Sequence, residues 1–443
     1  MFESLLVVNR GEIARRVIRS ARALGVRTIA VHSEVDAKLP FVLEADEAVA
    51  LEGPPALVYR DSAQLLAAAR RARAAAVHPG YGFLSEDAGF ATAVRDAGLV
   101  WVGPSAEAIA TMGDKVTARD TMAAAGVPVA PGSDGAVGDA TAAAAEARRV
   151  GFPVMLKAAA GGGGMGMAVA PDEDAVRGEY AKVSAFAQRL FGDPRLFVER
   201  YFARVRHVEV QVLGLADGRI LPLGERDCSV QRRNQKVAEE SPSPAVDDEL
   251  RGRMEQAAVR AAATVGYRNA GTVEFLLDVD TGEFFFLEMN TRLQVEHPIT
   301  EQRYGVDLVA AQLVIAAGAD PGCTDPVPRG HAIELRINAE DPKRFLPGPG
   351  AVTEWVEPTG DGIRVDSGYA AGTTVTPNYD SLLAKLIVHG ANREQALDRA
   401  RRAVAGFTVT GPKCNLPFHA ELLDHAEFVS GRYDTGLVSR MRP

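Results

Sequence analysis

Two acidic residues, Glu274 and Glu288, flank Asp280, Thr281 and Gly282 in the segment TVEFLLDVDTGEFFFLEMNTRLQVEHPIT, residues 272–300. A turn between two apolar runs predicts a hairpin, and pairing about Thr281 sets Glu274 opposite or nearly opposite Glu288. Both strands are apolar on each face, so burial of the acids is expected. Like charges opposed on a sheet are destabilising unless a cation lies between them. Asn290, two residues beyond Glu288, points to the same side and adds a third oxygen. Such oxygens suit Mg²⁺ or Mn²⁺, which bind phosphates as well as protein. Arg292, Gln294 and Glu296 continue the spacing as far as the strand lasts. A cationic fork, an amide and a free carboxylate beside a metal suit a small planar anion that must be held and deprotonated. The alternative is a pair of acids on a solvated sheet edge.

Further polar groups join this set from a distance. In RHVEVQV, His207, Glu209 and Gln211 share one strand face and the valines the other, so His207 looks toward a cleft or is a satisfied core or surface histidine. QRRNQK, residues 231–236, concentrates positive charge as a basic cluster or a solvated loop. Lys157 precedes the glycines of MLKAAAGGGGMGMAV, residues 155–169, and Lys115 opens the segment after the first predicted sheet. Either lysine could neutralise phosphate or lie in solvent. The glycine run lacks the lysine and hydroxyl of a Walker loop. Gly161, Gly163 and Gly166 satisfy G-x-G-x-x-G, but that motif must open a helix. Instead Pro153 to Leu156 reads as a strand entering the glycines, and Met167 to Ala170, stopped by Pro171, as one leaving them. Such a hairpin can lie over a polyphosphate with its N–H groups turned inward, or be a mobile surface loop.

The elements that must position these groups follow from periodicity. Residues 4 to 33 read as strand, helix, strand, with Ile13, Val17, Ile18, Ala21 and Leu24 on one helix face and Gly25 as its stop. Further alternation of strands and helices implies an open parallel sheet closing near Gly113. Asp139 as cap and Gly151 as stop make Ala140 to Arg149 a short helix in a small glycine-loop unit running to about Tyr201. Beyond it a largely antiparallel sheet is expected, with helices near 248 to 265 and 307 to 317. A chain of 443 residues implies two or three domains. The net charge of −9 argues against a nucleic-acid partner. Cys228, Cys323 and Cys414 have neither disulfide-framework nor zinc spacing, and no run approaches membrane-spanning length, so a cytoplasmic protein is expected.

Several motifs in order, NRGEIA (9–14), HPGYGFLSE (78–86), MGDK (112–115), GGGGMGM (161–167), RHVEVQV, GERDCSVQRRNQK (224–236), EMNTRLQVEHPITE (288–301) and RINAEDP (336–342), resemble the ATP-grasp enzymes and, within them, the biotin carboxylases. The resemblance spans essentially the whole chain. It implies an α/β, ATP-grasp fold with an N-terminal Rossmann-like domain (1–114), a mobile glycine-loop lid (115–201) and a C-terminal mixed-sheet region (202–443). Gly161, Gly162, Gly163 and Gly164 would close over ATP. Lys115, Lys157 and His207 would meet nucleotide phosphates or ribose, and Glu199, Arg200, Tyr201 and Phe202 would hold adenine, with Gln231, Asn234 and Leu276 also lining the nucleotide. Glu274, Glu288 and Asn290 would bind magnesium or manganese. Arg292, Gln294 and the Val295 backbone would hold bicarbonate, Glu296 would deprotonate it, and Lys236 would support the transferred groups. Arg336 would stabilise the biotin enolate, with Tyr81 and Phe83 near biotin. Arg16 and Arg19 would lie at a homodimer contact. Met165 and Ala168 replace basic lid residues, and Asn234 a histidine, of many relatives; this resembles the carboxylase domain of urea carboxylases. With no M-K-M motif in the chain, biotin is expected on a separate carboxyl carrier protein, alongside a carboxyltransferase subunit. An acyl-CoA carboxylase component is the expected role. The alternatives are a urea-carboxylase-like or other non-CoA component, a carboxylate–amine ligase, and a non-catalytic nucleotide-binding regulator.

Overall fold

A computed structural model of the chain describes residues 1–160, 165–323 and 326–442. The first sheet is parallel and five-stranded, in the order Glu47–Ala50, Arg27–His32, Ser4–Val7, Ala76–His78, Val100–Trp101. Its central strands are continuous apolar runs because helices cover both faces. The first helix, Gly11–Ala23, buries Ile13, Val17, Ile18 and Ala21 as its spacing predicts. Leu24 does not follow: it is the capping residue past the helix end at Ala23 and is exposed, and Gly25 at φ +74° turns the chain immediately after it.

Two loops of this unit are stitched together by one side chain. Asn9 Nδ2 donates to the carbonyl oxygens of Pro79 (2.7 Å) and Tyr81 (2.8 Å), so NRGEIA holds HPGYGF in place. Gly80 has φ +65°, and a Cβ there would meet Asn9 Nδ2 at 2.7 Å, so both conformation and space require glycine.

The small central unit is a three-stranded antiparallel sheet, Met167–Ala170, Val154–Ala158 and Leu196–Arg200, backed by the helices Ala140–Val150 and Glu173–Phe191. Asp139 accepts from the backbone N–H of Thr141 and Ala142 and Gly151 ends the helix, as the cap and stop residues indicate. The predicted hairpin is present, Lys157 pairing with Met167, whereas Gly161 to Gly164 lie outside the described residues.

The third sheet is antiparallel and eight-stranded. Its order is Phe284–Asn290, Asn269–Asp278, Val205–Gly214, Ile220–Arg232, Gln235–Ser241, His331–Asn338, Leu382–Gly390, Ile363–Ser367. QRRNQK is the turn of a hairpin within it. Arg233 (φ 49°) and Asn234 (φ 64°) form a two-residue connection of the kind asparagine tolerates, so Gln231 and Lys236 lie on paired strands rather than in a long solvated loop. Among the described residues no helix is long and apolar enough to cross a membrane.

Candidate active site

The long hairpin sets Glu274 directly opposite Glu288 by way of a β-bulge between Glu274 and Phe275, since nearer the turn Phe275, Leu276 and Leu277 face Phe286, Phe285 and Phe284. The strand ends at Asn290, however, so Arg292, Gln294 and Glu296 are not carried by strand alternation. Residues 291–296 form a tight loop, and Glu296 stands at the head of the helix His297–Tyr304, whose Pro298 suits a first helical turn. The loop still converges on the acids: Arg292 donates to Gln294 Oε1 (2.8 Å) and Asn290 Oδ1 (2.7 Å), and Gln294 Nε2 donates to Glu274 Oε1 (2.8 Å).

Lys236 is the hub of the site. Its Nζ lies 2.6 Å from Glu209, 3.1 Å from Glu274 and 2.6 Å from Glu296. Arg336 donates through Nε to Glu239 (2.6 Å) and through Nη2 to Glu296 Oε2 (3.1 Å). Burial favours the neutral acid at Glu296, but Lys236, Arg336 and the fully buried Arg226 hold it well below the usual carboxylate range. Arg226 is itself fixed by Glu209, Gln211, Thr272 and Thr300.

The two opposed acids differ. Glu274 is buried, yet Lys236 and His207 hold its carboxyl below the ordinary range, and Asn290 Nδ2 donates to it at 2.7 Å. Glu288 is raised by burial and by the charge of Glu274, against the pull of Lys115. It has no hydrogen-bonding partner among the described residues. A carboxylate left unpaired beside another anion fits a hard divalent cation such as Mg²⁺, with Glu274, Glu288 and Asn290 as oxygen donors. His207 Nε2 sits 2.6 Å from Glu274 Oε2, and Gln231 Nε2 donates to Nδ1, which puts the ring proton on the Glu274 side.

Beside these acids lies an apolar platform. Leu276 is the register partner of both His207 and Phe285, and Phe202 stacks on Phe285 with ring centroids 4.9 Å apart. Lys157 is ion-paired with Glu199 on the neighbouring strand, and Arg200 and Tyr201 continue that segment. Lys115 is the first residue of a helix capped by Asp114, and burial lowers its pKa against the pull of Glu288. Tyr81 donates to Glu12, and Phe83 stacks on Tyr59 with centroids 5.1 Å apart. Arg16 is buried within its own chain against Glu301 (2.7 Å) and Asp307 (2.8 Å).

Sequence reasoning assigned no role to Glu86, which binds Arg292 at 2.8 Å from 206 positions away, nor to Cys228, whose Sγ lies 3.7 Å from Glu296 Oε1. No local pattern links Glu86 to Arg292. Cys228 could have been suspected from its place inside GERDCSVQRRNQK.

Residues 1–109 match the biotin carboxylase N-terminal domain, 114–321 the ATP-binding domain of the carbamoyl-phosphate synthase L chain, and 334–440 the biotin carboxylase C-terminal domain. Biotin carboxylase of Pseudomonas aeruginosa is 48% identical over 435 residues, covering 97% of this chain and 96% of its own. The chain belongs to the biotin carboxylase family. Among solved structures, the complex of Campylobacter jejuni biotin carboxylase with a β,γ-ATP ligand superposes with a TM-score of 0.96 at 40% identity, covering 99% of each chain. The biotin carboxylase domain dimer of Hydrogenobacter thermophilus 2-oxoglutarate carboxylase, solved with MgADP, ADP and bicarbonate, gives 0.94 at 41% identity over 99% of this chain and 98% of that one. Biotin carboxylases are ATP-dependent ligases with the ATP-grasp fold, and the parallel sheet followed by antiparallel sheets is their architecture. They serve as the biotin-carboxylating components of biotin-dependent carboxylases.

Proposed function

We propose that this biotin carboxylase consumes ATP and bicarbonate to carboxylate biotin on a separate carrier protein, as part of an acyl-CoA carboxylase with a distinct carboxyltransferase subunit. The observation that carries the reading is Glu296, fully buried between Lys236 and Arg336 and beside the opposed acids. Arg292, Gln294 and the Val295 N–H would hold bicarbonate. While three cations surround Glu296 it is a weak base. An anion entering beside Lys236 and Arg336 shares those cations and returns basicity to the carboxylate, which can then take the bicarbonate proton. The bicarbonate oxygen attacks the γ-phosphorus of ATP, giving ADP and carboxyphosphate, which breaks down to CO₂ and phosphate; the released phosphate takes the ureido proton of biotin, and the ureido nitrogen bonds to CO₂. Mg²⁺ held by Glu274, Glu288 and Asn290 would neutralise phosphate charge. Lys115, Lys157 and His207 would meet the phosphates or ribose, Phe202 and Leu276 would pack on the base, and Tyr81 and Phe83 would face biotin.

Arg336 would stabilise charge on the biotin carbonyl oxygen that exists only after the ureido proton leaves. A urea-type or other non-CoA acceptor is the second reading, favoured by the uncharged Met165, Ala168 and Asn234. A cytoplasmic homodimer completes the reading, in keeping with the dimer formed by the Hydrogenobacter domain. The test separates the half-reactions. Arg336→Met should depress carboxybiotin formation by about two to three orders of magnitude, while bicarbonate-dependent ADP release without biotin should fall much less. Glu296→Ala should impair both. Equal loss of both activities in Arg336→Met would overturn the enolate role.

A further inference from the structure

Lys385 is completely buried on the strand Leu382–Gly390, the register partner of Arg336, yet has no part in the chemistry above. Its Nζ donates to the carbonyl oxygen of Val295 at 2.9 Å and lies 3.1 Å from Glu12 Oε2, with Asp366 farther off at 3.9 Å. Glu12, on the first helix, is equally shut from water, and its other carboxylate oxygen accepts from the Tyr81 hydroxyl. One ammonium therefore touches two chain segments at once. The carbonyl it holds belongs to the peptide joining Val295 to Glu296, and the carboxylate it meets holds Tyr81. The Glu12 end has no slack: a Cβ on Gly368 would lie 2.6 Å from the Glu12 backbone nitrogen, so the helix start is packed directly on the end of the strand Ile363–Ser367. For stability alone, an apolar pair would serve a buried site as well as an ion pair. A directed bond to a carbonyl together with a close ion pair to a carboxylate instead fixes atoms in place, which apolar contacts do not.

We propose that Lys385 and Glu12 are positioning residues, a buried tie that sets the bicarbonate-side segment 295–296 and the biotin-facing Tyr81 in one mutual arrangement. This rests on the bicarbonate and biotin roles given under Proposed function.

The full-length protein is assayed with bicarbonate and free biotin, alongside circular dichroism and thermal midpoints. Glu12→Leu removes both acceptors but leaves Lys385 its bond to Val295. It should raise the KM for biotin about tenfold and leave that for bicarbonate within about twofold. Glu12→Gln, which keeps an oxygen for Lys385 and a nitrogen for the Tyr81 oxygen, should restore the biotin KM. Lys385→Met should raise both KM values. Should Lys385→Met fail to fold, the comparison of Glu12→Leu with Glu12→Gln decides alone. An unchanged biotin KM in folded Glu12→Leu, or equal shifts in both KM values, overturns the tie while wild-type activity leaves the functional reading standing. A wild-type protein without bicarbonate-dependent ADP release overturns both.

Discussion

Glu274 and Glu288 are register partners on adjacent antiparallel strands, yet Glu274 meets Lys236, His207, Asn290 and Gln294, while Glu288 meets no hydrogen-bonding partner among the described residues. The asymmetry makes Glu288 the acid whose charge depends most on a cation. Glu288→Gln, which removes charge at constant volume, should cut turnover by orders of magnitude and raise the Mg²⁺ concentration needed for half-maximal rate, with the fold intact. A magnesium titration of ADP release reads this out. An unchanged titration curve at near-normal rate would count against the metal assignment.

Asn9 Nδ2 bridges the carbonyl oxygens of Pro79 and Tyr81 inside the protein. Asn9→Leu leaves both acceptors unpaired and frees the loop bearing Tyr81 and Phe83. A loss of about 1–3 kcal/mol in denaturant stability is expected, together with a higher biotin KM and a smaller change for ATP. Stability and biotin affinity unchanged together would show that the stitch is dispensable.

Glu240 gives a pH dependence. Burial would raise its pKa, but hydrogen bonds from His331 and Arg393 dominate and lower it to about 2; Tyr433 donates to it as well. A carboxylate depressed in the folded state contributes stability that is present above its unfolded pKa and lost as pH falls through the folded one. The contribution is roughly 3 kcal/mol at neutral pH. It should fade between about pH 4.5 and pH 2. The difference in denaturant stability between wild type and Glu240→Gln should therefore narrow across that interval. A constant difference would mean that packing, not charge, explains the variant.

Assembly is testable independently of activity. Arg16 is occupied within its own chain, whereas Arg19 is half exposed and reaches Glu44 at 3.2 Å. Of the two, Arg19 is the more accessible to a second copy. Sedimentation should show a dimer at micromolar concentration, weakened by Arg19→Glu; a monomer throughout would remove the homodimer.

What was legible in the sequence was local. The turn at 280–282 locates the hairpin, so the near opposition of Glu274 and Glu288 follows from counting, whereas their exact pairing depends on a bulge between Glu274 and Phe275 that no residue pattern announces. Asp139 and Gly151 bracket their helix just as locally, each acting within one turn. Where the strand carrying Glu288 ends is not legible, because the alternate spacing of Arg292, Gln294 and Glu296 persists in a loop that turns into a helix at His297. The intrachain partners of Arg16 are not legible, because an arginine on a helix carries no mark of whether acids from 285 residues away will cover it. The partners of Lys385 are of this kind too, since Glu12 and Val295 are far from it, and from each other, along the chain.

The eight-stranded sheet has a bearing on how such a chain can be divided. The matches at 114–321 and 334–440 meet between residues 321 and 334, but the strand Gln235–Ser241 pairs with His331–Asn338 across that boundary. A protein cut there would expose the backbone of Gln235–Ser241 as an open edge, ready to recruit another strand and aggregate. Arg336 would leave with the severed piece while Glu296 stayed behind. Exchange of modules between relatives at that seam would thus have to rebuild a hydrogen-bonded ladder and an active site together, so this stretch of chain is expected to be inherited as a single block.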